Sequence, residues 1–196
     1  MRKICIFAAL CAFFLCALPA AASLPHYNSD IGYTIWLPKH WTVASNSDLE
    51  IAEGACKPLP VQGLMPNWEA GYINSESGRE CQLLVEAKPG RKMRPADISN
   101  FNNFIVRSLK KSPLHEVENP GCVTLKTATY YKDKKVLRLV TEMGQGDQAM
   151  RGLTYIIYTR KGMLTFVVYI DPTDDQTQKA IDTAMLSLYL DDAIRY

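Results

Sequence analysis

Between Asp30 and Trp41 the chain reads DIGYTIWLPKHW, and every second residue from Ile31 to Leu37 is apolar. Such alternation puts successive side chains on opposite faces of a strand. Residues 31–37 are therefore predicted to be a strand, with Ile31, Tyr33, Ile35 and Leu37 on one face and Trp36 on the other. Pro38-Lys39-His40 makes a turn, and Trp41-Thr42-Val43 continues extended. Residues 45–66 show neither period and read as irregular. Residues 68–73 and 81–87 read as the next two strands.

The period then changes. Ile98, Phe101, Phe104, Ile105 and Leu109 recur at helical spacing behind Pro95 and Asp97, and Lys110-Lys111 precede Pro113. Proline and an acid suit the start of a helix and basic residues its end, so a helix is predicted over 95–111. Four more strands follow at 122–131, 134–143, 152–160 and 163–170. The first two are joined by KDK and the last two by RKG, where Gly162 supplies a positive-φ position. GQGDQAMRG, between the two hairpins, reads as a flexible connection. Thr173 and Gln176 form a capping-box pattern ahead of an apolar stripe of Ala180, Ile181, Ala184, Met185 and Leu188, so a second helix is predicted over 174–188. A mainly antiparallel sheet covered by two main helices follows, an α+β sandwich.

The first 22 residues belong to none of this. Arg2 and Lys3 precede an unbroken apolar run of 15 residues, Ile4 to Leu18, and Pro19 with Ala20-Ala21-Ala22 supplies a cleavage site. This is the pattern of a secretory signal peptide, and the run is shorter than the roughly 20 residues of a membrane span. Leu10 and Leu15 stand before Cys11 and Cys16, where a lipoprotein site wants a small residue. The expected product is a single domain, 23–196, periplasmic or secreted, with no stable membrane anchor after cleavage. The leader holds two of the 22 basic residues and none of the 20 acidic ones, so the rest of the chain has a formal net charge of zero. That removes the global basic field a nucleic-acid binder would use.

Candidate chemistry is sparse. Cys56, Cys81 and Cys122 remain after the leader; an oxidising compartment lets two pair, and Cys56–Cys81 is the first choice because it would clamp the Pro/Gly-containing segment between them. Cys122 then reads as a buried small hydrophobe. Its pairing with His115 as a thiol nucleophile is the remote alternative. His26, His40 and His115 lie at no metal-ligand spacing, and no C-x-x-C, G-x-S-x-G or phosphate loop occurs. No catalytic residue, metal site or cofactor is expected. Asp174 and Asp175 read as first-turn helix carboxylates. Two surface features remain as a candidate binding surface. One is the aromatic set Trp36, Trp41 and Trp68. The other is the basic loop with Arg91, Lys92 and Arg94.

Four stretches in this order resemble the PsbP-like fold: GYTIWLPKHW, PADISNFNNFIVRSL, YIIYTRKGMLTFVVYI and DDQTQKAIDTAMLSLYL. That fold is shared by the PsbP proteins of photosystem II, a eukaryotic Ran-binding protein and many exported bacterial proteins. Its members are mostly binding or assembly modules, so the resemblance implies a non-enzymatic binder with a protein partner in the bacterial envelope. No residue-level partner site carries over. A small-ligand or lipid binder using residues 45–66 as a lid is the second expectation.

Overall fold

The computed structural model describes residues 23–55, 67–74, 76, 81–111, 123–144 and 149–196. The elements are β1 (Ser23–Asn28), β2 (Tyr33–Pro38), β3 (Trp41–Val43), α1 (Asn46–Ala55), β4 (Ala70–Asn74), β5 (Cys81–Pro89), α2 (Pro95–Lys111), β6 (Val123–Tyr131), β7 (Val136–Met143), β8 (Met150–Thr159), β9 (Gly162–Ile170), α3 (Asp175–Leu186) and β10 (Tyr189–Leu190). All strand pairings are antiparallel. They build a seven-stranded sheet of order β3-β4-β5-β9-β8-β7-β6 and a three-stranded sheet of order β1-β2-β10. The α+β expectation holds; among the described residues there are two sheets in place of one and three helices in place of two.

The large sheet is covered on both faces, which explains why its central strands are apolar at nearly every position. On one face Leu83, Val85, Tyr155, Ile157, Phe166 and Val168 meet Tyr33, Ile35 and Leu37 of β2 and Ile181, Ala184 and Met185 of α3. The other face is divided. Leu137, Leu139, Ile156 and Tyr158 lie under α2, which contributes Ile98 with Phe101, Ile105 and Leu109. Leu84 and Val167 lie under α1, with Ala52, Leu49 and Trp68. The core-facing residues of β2 are those the alternation picked, and Tyr33, Ile35 and Leu37 are fully buried. The strand starts at Tyr33 because Gly32, at φ +88°, turns the chain between β1 and β2. In α2 the apolar stripe omits Phe104, which is 63% exposed.

Three elements depart from the sequence reading: β1, α1 and the two-residue β10, which the sequence reading did not contain. β1, SLPHYN, carries Pro25 and mixed polar residues, which an edge strand tolerates because one side of its backbone needs no partner. Residues 46–55, expected to be irregular, form α1. Its start is a capping box: Ser45 Oγ accepts from the Asp48 amide (3.3 Å) and the Asp48 carboxylate accepts from the Ser45 amide (2.7 Å). The Ser-x-x-Asp spacing in SNSD is the signal that reveals it. A smaller correction concerns α3, whose N-cap is Asp174, its carboxylate accepting from the Thr177 amide at 2.9 Å, in place of the Thr173/Gln176 box.

Candidate binding surface

Opposite residues of an antiparallel pair share a face, so the register of the small sheet defines its two sides. One side carries Tyr33, Ile35 and Leu37 into the core. The other carries Pro25 opposite Trp36, and Tyr27 and Tyr189 both opposite Thr34. Tyr27 is 62% and Tyr189 46% exposed, while Trp36 is half-buried. Trp36 thus does face away from its apolar neighbours, and two tyrosines on flanking strands widen the patch. The tyrosines were invisible from one strand's pattern, because β1 and β10 reach β2 from opposite ends of the chain.

Polar groups hold this face in place. Tyr27 Oη donates to Asp191 Oδ2 at 3.0 Å. That hydrogen bond, with the nearby carboxylate charge, keeps the Tyr27 phenol protonated above its ordinary range. The Arg195 guanidinium lies 4.7 Å above the Tyr189 ring and donates to the Leu190 carbonyl at 2.8 and 3.0 Å. Beneath the sheet, the Tyr33 and Tyr72 hydroxyls bond each other at 3.0 Å, and the His26 ring meets the Tyr72 ring edge-on at 5.4 Å. Burial lowers the His26 pKa from 6.5, so the imidazole is neutral at pH 7.

The other two tryptophans are not part of any surface. Trp41 is 2% exposed in the main core, and Trp68 is 8% exposed beneath α1, with its backbone amide bonded to Glu53 at 3.0 Å. A two-sided sheet needs large apolar residues at its ends as well as its centre, and these two supply them. Of the basic loop, Arg91, Lys92 and Arg94 are all exposed. Arg94 pairs with Asp97 at 3.0 Å, and Lys92 lies 4.6 Å above the Tyr196 ring. The three lie at the end of β5, separate from the aromatic face.

Cys81, the candidate disulfide partner of Cys56, has a free buried thiol, with Sγ 3.7 Å from the Tyr169 carbonyl. Its side chain fills a core position at the start of β5. Cys56 lies outside the described residues, as do Cys122 and His115, the signal peptide and residues 56–66 of the expected lid. Burial pushes the Cys81 pKa up to about 12. At pH 8 the thiolate fraction is then only about one part in ten thousand. Alkylation of a variant retaining only Cys81 is accordingly expected to be at least about a hundredfold slower in buffer than in urea, and to accelerate as pH rises. Labelling at equal rates in both would show that the thiol is accessible.

The lid reading meets a different geometry. Residues 46–55 lie on a filled core, and the groove of about 360 Å³ among the described residues lies elsewhere, between α2 and β6. It is lined by Asn102, Val106, Lys126, Tyr130 and Leu137 among others. Among the described residues no three His, Cys, Asp or Glu side chains gather as a metal site, and no helix is long and apolar enough to cross a membrane. The most developed polar cluster is internal. Asp182 of α3 takes a bidentate pair from Arg138 of β7 (2.5 and 2.8 Å) and a hydrogen bond from Tyr155 of β8 (2.6 Å). It fastens the helix to the sheet.

Two sheets with helices on both sides of the larger one define an α+β scaffold. It is the PsbP-like fold. The chain is similar to cyanobacterial PsbP (CyanoP) from Synechocystis sp. PCC 6803, at 13% identity and TM-score 0.55, over 89% of this chain and 95% of that one. Looser matches are PA94 from Pseudomonas aeruginosa, a protein of unknown function (14% identity, TM-score 0.43, 85% and 96% covered), and LpqN of Mycobacterium tuberculosis, involved in cell envelope biogenesis (13%, 0.38, 89% and 91%). No family model and no curated protein matches the sequence.

Proposed function

We propose that this protein is an exported, non-enzymatic binding module that engages a protein partner through the outer face of the β1-β2-β10 sheet. The observation that carries the reading is the aromatic set Tyr27, Trp36 and Tyr189 on one outward face, backed by a fully buried core. Tyrosine and tryptophan dominate binding hot spots because they present large, stiff, amphipathic surfaces at low entropic cost. Here the stiffness comes from below: Tyr33, Ile35 and Leu37 anchor the same strand that displays Trp36. The export reading rests on the leader pattern of Arg2-Lys3, the apolar run and Ala20-Ala21-Ala22.

Affinity capture from envelope extract tests the proposal. The intact protein is expected to retain a reproducible partner, and the Tyr27→Ala/Trp36→Ala variant to bind it at least about thirtyfold more weakly, the scale of two hot-spot residues. Both side chains stand outside the core, so the variant should melt within a few degrees of the parent. Absence of a reproducible partner, or undiminished binding by the variant, counts against this face.

A further inference from the structure

The chain from Ser23 onward has no net charge, yet the fold gathers a group of cations at one end of the large sheet. Three connections meet at one end. The loop after β5 carries Arg91, Lys92 and Arg94; the β6–β7 turn carries Lys132, Lys134 and Lys135; the β8–β9 turn carries Arg160 and Lys161. All but the half-buried Lys135 are exposed. The pairings Pro89↔Gly162 and Thr159↔Gly162 bring the first and third together, and the Tyr158 amide, bonded to the Lys135 carbonyl at 3.0 Å, adds the second.

The C-terminal residues bind this cluster into one surface. The Gly90 amide donates to the Lys161 carbonyl (2.8 Å) and the Arg160 amide to the Ile194 carbonyl (2.8 Å). Tyr196 Oη donates to the Met93 carbonyl (2.6 Å), while Lys92 and Lys135 lie over the Tyr196 ring at 4.6 and 5.3 Å. Within the three connections and the first turn of α2 the acids are Asp133 and Asp97, the latter paired with Arg94; Asp192, nearby in the tail, pairs with Arg195. At the far end of the sheet stand Glu76, Glu142, Asp171, Asp174 and Asp175, with Glu142 paired to Lys126 at 2.7 Å and Asp175 to Arg151 at 3.0 Å.

From this juxtaposition we infer that the cationic end of the sheet docks the protein on an anionic phospholipid surface. The connections span the ends of β5, β9, β8, β7 and β6, a front about 20 Å wide at ordinary strand spacing. It is a broad array of cations on projecting turns. The groove between α2 and β6 runs along the helix, and none of these eight cations lines it. Five of the eight cations are lysines, which act as hydrated point charges suited to diffuse attraction by many headgroups. A local cluster of cations can meet an anionic surface without the molecule carrying net charge. This docking does not use Tyr27, Trp36 or Tyr189, and vesicle binding tests it apart from the capture of a protein partner.

Vesicle co-sedimentation of the chain from Ser23 onward, which contains every described element, is the test. Binding is expected to phosphatidylcholine vesicles containing phosphatidylglycerol, not to phosphatidylcholine alone, and to fall at least about tenfold in high salt. The variant K92Q/K132Q/K134Q/K161Q is expected to lose at least about a hundredfold in partition, at about 1 kcal/mol for each charge near the surface. The charge-matched variant K39Q/R107Q/K110Q/K179Q, altered at exposed sites away from this end, should lose less than about threefold. No binding to phosphatidylglycerol vesicles at low salt, or equal loss in both variants, overturns the inference. Salt-sensitive binding to polyglutamate without vesicle binding also overturns it, and assigns the surface to an acidic protein. Unchanged circular dichroism in both variants shows that the comparison is between folded proteins.

Discussion

Gly162→Ala is expected to destabilise the protein by about 3 kcal/mol or more, among the largest effects of any single methyl group in this chain. Gly162 opens β9 at φ +127°, a region closed to residues with a side chain. A Cβ there would stand 2.0 Å from the Lys88 carbonyl oxygen, 2.7 Å from the Gly90 nitrogen and 2.9 Å from the Pro89 carbonyl carbon. All three are backbone atoms, so no rotamer change relieves the clash. The turn cannot move away either, because Thr159 Oγ1 donates to the Gly162 carbonyl at 3.0 Å and the Gly90 amide holds the Lys161 carbonyl. Gly90→Ala is the matched control: its Cβ would meet only the Gly162 Cα, at 3.5 Å, an ordinary contact. Urea denaturation should separate the two variants by several-fold in lost stability. A Gly162→Ala loss below about 1 kcal/mol would mean that β5 and the β8–β9 turn do not meet as described. The same substitution should weaken vesicle binding, since this turn carries Arg160 and Lys161 into the cationic end.

Asp182→Ala is expected to cost about 3 kcal/mol. The reason lies in what remains behind. Arg138, whose side chain is 12% exposed, loses its bidentate partner, and Tyr155 Oη loses its acceptor in the middle of the main core. A partly buried cation and an orphaned hydroxyl each carry a desolvation penalty that the native network offsets. Asp182→Asn should lose less, because its amide oxygen still accepts from Tyr155 or Arg138. The double variant Arg138→Met/Asp182→Leu should recover much of the loss, since an apolar pair leaves no charge behind. Thermal denaturation of the four proteins reads this coupling. A double variant less stable than Asp182→Ala would show that the two side chains act independently, against the geometry.

Much of this fold was legible because its signals are local. Period-two alternation over Ile31–Leu37 located β2 and its buried face, and helical spacing with Pro95 and Lys111 at its ends located α2 to the residue. Gly162 was marked by the turn RKG. Short or mixed segments were less legible. β1 carries Pro25 and no clean alternation, because an edge strand is relieved of half its backbone pairing. α1 shows little apolar periodicity, and only its SNSD capping box betrays it. The tryptophans divide for the same reason: composition says that they are large and apolar, but only the layer packed above each decides that Trp41 and Trp68 are core and Trp36 lies outward.

What the sequence determined by itself is the set of local preferences: strand, helix and turn, the leader pattern, and a zero charge balance beyond it. Those follow from backbone sterics and side-chain periodicity within a few residues. What only the tertiary structure decided is which distant residues share a surface. Tyr27 and Tyr189 share a face with Trp36 because β1 folds back on β2 as a hairpin and β10 returns to β2 from about 150 residues further along the chain. Lys92, Lys134 and Lys161 gather at one end because antiparallel strands return their turns to the same edge of a sheet. Neither grouping has a sequence period, since strand order in a sheet is set by packing between distant segments.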